Sequence, residues 1–193
     1  MFARTKRLLL RPGWREDAER LHAAWNDSAI RRRLTDTPVS RTVDEAEAFL
    51  TAARTPLHPY FLLFARTGAA PRLIGGCGLH PTDEGTAGEA RLDFWIARPF
   101  WGLGFATEAA AAAIRAARAG GLPPVTARAD ADNSAALHVL AKIGFEPVGR
   151  DGNRPCPVDG PRRPRLLLRD SGATPARADS AQELYRSRPP LAA

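Results

Sequence analysis

A chain of 193 residues and 20.9 kDa, 44% hydrophobic and 25% charged, can bury its own core and has the composition of an ordinary soluble globular protein. No stretch approaches the 18 apolar residues of a membrane span, and two cysteines with four scattered histidines give neither a disulfide framework nor metal-ligand spacing. The net charge of +7 favours anionic ligands by long-range steering, but the basic residues are spread along the chain without aromatic interleaving, which argues against nucleic acid.

The basic N-terminal segment holds an apolar run of only three leucines, too short for a signal peptide, so a reduced cytoplasmic chain is expected. Lys6 to Arg11, ending at Pro12, reads as a first strand. Glu16 to Trp25 carries Ala18, Leu21, Ala24 and Trp25 at helical spacing. Thr42 ahead of Glu45 is a capping box opening a second helix through Ala46, Phe49 and Leu50. Tyr60 to Arg66 and Leu73 to Leu79 form a hairpin about the turn Thr67-Gly-Ala-Ala-Pro, and Gly75, Gly76 and Gly78 predict a bulge or a close backbone approach. Cys77 between them reads as a small buried side chain. After a turn around Gly85 and Gly88, Glu89 to Ala97 alternates, with Leu92, Phe94 and Ile96 on one face and Asp93 and Trp95 on the other. An alanine-rich helix to Ala119 follows, closed by Gly120-Gly121 and Pro123-Pro124.

Val125 to Ala129 is a strand, Asn133 to Lys142 a helix closed by Gly144, and Phe145 to Val148 a strand. Residues 150–164, with four prolines, read as loop, Arg165 to Arg169 as a last strand, and 170–193 as a disordered tail beyond a domain spanning 1–169. This order gives an α/β fold of the α+β type: a mixed, mostly antiparallel central sheet flanked by helices, with one βαβ unit starting at Glu89.

Gly102-Leu-Gly-Phe-Ala-Thr lies between a strand and a helix. Glycines allow a sharp turn and close ligand approach, and the amides of the helix's first turn then face the mouth as an anion site. An ordinary helix start, with Glu108 answering the dipole, explains the same residues. A dinucleotide site is a rival, with Asp130 as its ribose-binding acid. Its sixth position, however, is Thr107 and not glycine, and Arg98-Pro99-Phe100-Trp101 separates strand from turn.

Trp101-Gly-Leu-Gly-Phe-Ala-Thr-Glu-Ala, followed by Asn133-Ser-Ala-Ala-Leu-His-Val-Leu-Ala-Lys-Ile-Gly-Phe, resembles the GNAT acetyltransferase superfamily. The branch it resembles acetylates N-terminal alanine or serine of ribosomal proteins. Arg7-Leu-Leu-Leu-Arg-Pro, Ile74-Gly-Gly-Cys-Gly-Leu and Leu92-Asp-Phe-Trp-Ile fit the same branch, and the resemblance covers residues 5 to about 169. It implies a GNAT-like acyl-CoA N-acyltransferase fold and acetyl-CoA as co-substrate. The family's pyrophosphate loop, Gln/Arg-x-x-Gly-x-Gly/Ala, falls on Trp101, Gly102, Leu103, Gly104, Phe105 and Ala106, with amides from Leu103 through Thr107 on the diphosphate. The pantetheine arm is expected along Phe94, Trp95 and Ile96, where their strand splays from Val125–Ala129, with one amide polarising the thioester carbonyl. Asn133 matches the family's asparagine near the pantetheine and is equally a helix N-cap.

The chain departs from the family pattern at three positions. Leu140 stands where many members place a tyrosine that protonates the departing thiolate, Ala136 where the branch often has serine, and Arg91 at the branch's strand glutamate. Asp93 and Glu89, on the same strand face, are the substitute bases, with Asp93 preferred, although exposure to solvent is the commoner fate of such a carboxylate. No Cys–His pair argues for a covalent intermediate, and neither His80 nor His138 has an assigned role. A thiol of pKa about 8.5 leaves as thiolate without an acid. An α-amine of pKa about 7.8 is roughly one-third free base at pH 7.5, whereas a lysine must spend about 4 kcal/mol to reach that state. The acceptor implied is therefore a protein N-terminus or a small-molecule amine, and the partners are acetyl-CoA and that amine, with no membrane, in a monomer or homodimer. A catalytically silent CoA-binding module is the alternative.

Overall fold

Tyr60-Phe-Leu-Leu-Phe-Ala contains no charged residue, and such a run is stable only as a strand covered on both faces. In the computed structural model, which describes residues 2–34, 42–66, 70–82, 89–121, 125–154 and 163–172, every one of its residues is buried. The strands are Ala3–Arg4 (β1), Leu8–Arg11 (β2), Tyr60–Ala65 (β3), Arg72–Pro81 (β4), Ala90–Ile96 (β5), Val125–Asp130 (β6), Phe145–Arg154 (β7) and Arg163–Asp170 (β8). They form one sheet in the order β1-β2-β3-β4-β5-β6-β8-β7, antiparallel throughout except for the parallel pair β5 and β6. Helices Ala18–Trp25 (α1), Ser28–Arg31 (α2) and Val43–Thr51 (α3) precede β3, Phe105–Ala119 (α4) links β5 to β6, and Ser134–Lys142 (α5) follows β6.

The period of two along β3 divides the core. Phe61, Leu63 and Ala65 pack with Ala109, Ala113 and Ile114 of α4 and Leu137 and Leu140 of α5. Tyr60, Leu62 and Phe64 pack on the other face with Leu21 and Trp25 of α1 and Ala46 and Leu50 of α3. β5 keeps the same division: Leu92 and Ile96 join the α4 side, Trp95 the α1 side. Arg11, at the end of β2, is buried between the rings of Trp14 and Phe64 and makes a two-pronged bond to Asp17 at 2.7 and 2.8 Å. Burial works against the Asp17 charge, but the Arg11 guanidinium and the Trp14 amide hold its carboxyl below the usual range.

Several boundaries differ from expectation. β2 starts at Leu8 because Thr5 N bonds Leu8 O at 3.0 Å, folding Ala3–Arg4 back as an edge strand. The first helix opens with a 3₁₀ turn at Arg15–Asp17. Ser28–Arg31 is an extra helix, capped by Asp27, whose side chain accepts from Ala29 N. Thr42 caps α3 as expected, accepting from Glu45 N at 3.2 Å. The glycine strand is bulged where register shifts between Leu63 and Phe64. The predicted loop at 150–164 is shorter: β7 continues to Arg154 and β8 begins at Arg163, because Arg150 to Arg154 and Arg163 to Leu166 pair with each other. Asp170, placed in the tail by sequence, ends β8, is buried and is bonded by Arg118 Nη2 at 2.6 Å. Residues 67–69 of the turn predicted at 67–71, the turns predicted at 85–88 and 123–124, Cys156, and 173–193 lie outside the described residues. No helix among the described residues is long and apolar enough to cross a membrane.

Candidate active site

The parallel ladder between β5 and β6 pairs Ala90 with Val125, Arg91 with Thr126 and Leu92 with Ala127, and stops there. From Asp93 onward β5 is held only by β4, so its backbone groups on the β6 side have no strand to bond. A cleft of about 500 Å³ opens at this splay, bounded by β5, the glycine turn, the first turn of α4 and the start of α5. Asp93, Phe94, Trp95, Ile96, Trp101, Gly102, Gly104, Phe105, Ala106, Thr107 and Asn133 all line it. Leu103 is the exception within the predicted set: it is half exposed, and its carbonyl accepts from Arg7 Nη1 at 2.8 Å.

The turn is built from backbone. Gly102 and Gly104 have φ of +74° and +78°, a region that side-chain-bearing residues avoid. Trp101 Nε1 donates to Ile96 O at 2.5 Å and ties the turn to the end of β5. The first helical bond of α4 runs from Glu108 N to Gly104 O at 3.1 Å, which leaves the amides of Phe105, Ala106 and Thr107 without a helical acceptor. Glu108 does not answer them. Its carboxylate turns to the opposite side, accepting from Thr5 Oγ1, from Arg7 N at 3.0 Å and from Arg7 Nε at 2.7 Å. The Arg7 guanidinium also lies 4.3 Å from the Phe105 ring centre. Burial opposes the Glu108 charge, but the Thr5 and Arg7 donors outweigh it and hold the carboxyl below its ordinary range.

At the second helix mouth, Asn133 is the N-cap, its Oδ1 accepting from Ala136 N at 3.3 Å. Leu140, in the position of the family tyrosine, is fully buried and has no proton to give. Asp130, the ribose acid of the dinucleotide reading, is also buried and lies outside the cleft lining.

Asp93 follows the last β5–β6 pair and lies on the strand face opposite α4. Its side chain is only a tenth exposed, contrary to the expectation of a solvated carboxylate, and its Oδ2 lies 3.5 Å from His80 Nε2 on β4. The burial follows from register: Tyr60, Gly78 and Asp93 form one row across three strands, and His80 is the next residue of β4 on that face. Gly76 and Gly78 leave a slot for the Tyr60 side chain, whose hydroxyl accepts from Trp95 Nε1 at 2.9 Å; a Cβ at Gly76 would meet that hydroxyl at 2.3 Å and one at Gly78 the ring at 2.4 Å. Burial pushes the Tyr60 phenol well above its usual value, against the Trp95 donor, and pushes up the thiol of Cys77, which lies beneath the sheet. Glu89, the other substitute base, lies outside the lining, 3.7 Å from Arg169.

Sequence reasoning missed the far wall. Ile30 and Leu34, in and after α2, line the cleft, and Arg33 Nη1 reaches Asp132 Oδ1 at 3.1 Å. The Asn26-Asp27-Ser28 capping signal was the available clue to α2. His138 and Lys142 of α5 line the cleft as well.

A family model described as an acetyltransferase (GNAT) domain matches residues 7–146. Uncharacterized N-acetyltransferase p20 of Bacillus licheniformis is 26% identical over 149 residues, 75% of this chain and 82% of that protein. Among solved structures, RimJ of Mycobacterium smegmatis in complex with CoA-disulfide is 20% identical, with a TM-score of 0.68 over 93% of this chain and 89% of that one. Spermidine N-acetyltransferase from Vibrio cholerae in complex with CoA and spermine is 19% identical, with a TM-score of 0.69 over 86% and 95%. At these identities the structures share the fold with this chain.

Proposed function

The chain belongs to the GNAT acetyltransferase family as an acetyl-CoA-dependent N-acetyltransferase, and on that premise we propose that it acetylates a low-pKa primary amine, a peptide N-terminus or a small-molecule amine, by direct attack. The observation that carries this reading is the splay beyond Leu92 and Ala127, which joins three features in one cleft: open α4 amides, an unpaired strand edge and Asp93. In this reading the Phe105, Ala106 and Thr107 amides, with Gly102, Leu103 and Gly104 shaping their approach, hold the diphosphate. Phe94, Trp95 and Ile96 present backbone to the pantetheine arm, Trp101 fixes the turn, and Asn133 borders the arm while capping α5.

The acyl donor enters from the α4 side of the gap and the amine from the side where Asp93 lies. Asp93 draws in the ammonium form and takes its proton. The nitrogen then bonds the acetyl carbon, a β5 amide polarises its carbonyl, the C–S bond breaks with the electron pair leaving on sulfur, and the second N–H proton of the attacking nitrogen passes to solvent. The buried, high-pKa thiol of Cys77 supports attack without a protein-bound acyl intermediate. The single sheet formed by Ala3 to Asp170 is the proposed transferase unit.

Calorimetry with acetyl-CoA followed by thiol release over a panel of amines tests the reading. Binding with turnover of α-amines ahead of lysine side chains is expected; no binding at millimolar acetyl-CoA would overturn it. Because Leu140 and Ala136 supply no proton at the two α5 positions where the family pattern has tyrosine and serine, a silent CoA-binding module is the second reading, and binding without turnover of any amine selects it.

A further inference from the structure

Asp93 is not a solitary carboxylate. His80 Nε2 lies 3.5 Å from its Oδ2, and the two side chains are 15% and 10% exposed. Only Asp93 of the two lines the cleft. The imidazole is boxed on its other side by the Tyr60 ring, 5.9 Å away between centres, which itself sits in the slot left by Gly76 and Gly78. A histidine beside a carboxylate at the edge of a reactive gap is arranged to share a proton.

We infer that His80 and Asp93 act as one proton-accepting unit for the incoming amine, with Asp93 the catalytic residue at the gap and His80 the positioning residue behind it. The inference rests on reading the cleft as the transfer site. One proton leaves the ammonium for the Asp93 carboxylate and is shared with the His80 ring; the amine lone pair so released forms the N–C bond. The thiolate departs with the C–S electron pair, and the second N–H proton of the attacking amine goes to solvent, as does the shared one when product leaves. An isolated carboxylate of pKa about 4 holds an ammonium proton poorly, whereas a carboxylate–imidazole pair holds it near neutral pH.

Arg91 lies directly across from His80 on β5. Tyr60 and Cys77 couple electrostatically to Asp93. Arg54 stacks on Tyr60, and Arg33, Arg128, Asp132, His138 and Lys142 share the cleft.

The test compares kcat/KM against pH for the parent, His80→Gln, Asp93→Asn and Tyr60→Phe, using an alanine-initiated peptide amide or, if that is not turned over, the best acceptor of the panel. In the parent the acid limb should lie in the imidazole range. In His80→Gln it should move down by about two pH units toward the carboxylate range, with the rate at pH 7 falling roughly tenfold and KM for acetyl-CoA unchanged. Tyr60→Phe, which keeps the ring beside His80 and removes only the hydroxyl bonded by Trp95 Nε1, should leave the limb in place. A lower rate with an unmoved limb in His80→Gln would overturn the inference, since a structural role predicts that result. An independent arm follows the His80 ring by NMR: Asp93→Asn should lower the midpoint of its titration, and an unchanged midpoint counts against the pair even if His80→Gln does not fold. No turnover of any amine would instead sink the transfer reading itself, whereas turnover with an unmoved limb sinks only the role of His80.

Discussion

Two helices open onto the same cleft, and their mouths are built in opposite ways. α5 begins with a side-chain cap: Asn133 Oδ1 takes the Ala136 amide, so part of the helix's hydrogen-bonding need is met from within. α4 begins with Gly104 at φ +78° and no side chain at all, and the one acidic residue of its first turn, Glu108, is drawn away by Thr5 and Arg7. The first α4 amides are thus left without a side-chain acceptor, while the turn before them is braced by Arg7, just ahead of β2, through Leu103 and from β5 through Trp101. Keeping its own side chains out of the α4 mouth is what suits it to the diphosphate role proposed above.

Gly104→Val should break this contrast most severely. A β-branched residue held at positive φ costs about 2 kcal/mol, so acetyl-CoA should bind at least about 30-fold more weakly by calorimetry. The circular dichroism spectrum should stay native, because the turn lies at the end of the sheet and the nearest atom to a new Cβ is Arg7 Nη2 at 3.5 Å. Parent-like affinity would make the α4 mouth an ordinary helix start.

Glu108→Gln tests the brace. Removing the charge received by Thr5 and Arg7 should lower stability at pH 7 by about 1 kcal/mol, or about 2–4 °C in Tm, after allowance for solvent screening. The sign with pH follows from its depressed folded-state pKa: the contribution is present above the unfolded carboxylate value and is lost as pH falls through the lower folded one. Parent and variant melting curves should therefore converge below about pH 4. A gap that widens on acidification would exclude this role for Glu108.

Asn133→Ala should cost the α5 cap about 1 kcal/mol, whereas Asn133→Ser, which retains a capping oxygen, should restore stability to within about 0.5 kcal/mol. Comparing acetyl-CoA affinity between these two variants separates cap from contact. Recovery with serine assigns Asn133 to the cap alone; a loss shared by both shows that its amide touches the ligand. The smallest effect is expected from Trp101→Phe, which removes the bond to Ile96 O but keeps the ring: affinity should fall about threefold, near the net worth of one hydrogen bond. An effect above tenfold would place the indole itself on the ligand.

How much of this was legible beforehand follows from the range of each interaction. The alternation of Leu92 to Ile96, the glycine turn after it, the alanine helix and the Asn133 cap are patterns of a few residues, set by strand and helix periods, backbone freedom and local hydrogen bonding. They were read correctly, together with the parallel β5–α4–β6 unit. The short helix α2, with a single turn and little periodicity, was not, and neither was the pairing that carries β7 to Arg154.

By itself the sequence determined the fold class, the two faces of β5, and the position of the glycine turn, since each follows from patterns read along the chain. Only the tertiary structure decided what each polar group meets. Arg7 and Glu108 are 101 residues apart and Arg33 and Asp132 are 99 apart, while His80 comes beside Asp93 through the antiparallel register of β4 on β5. A charged side chain carries no local signal of its partner: the topology of the sheet, selected by apolar burial, brings such groups together, and only then can hydrogen bonding and desolvation set their chemistry.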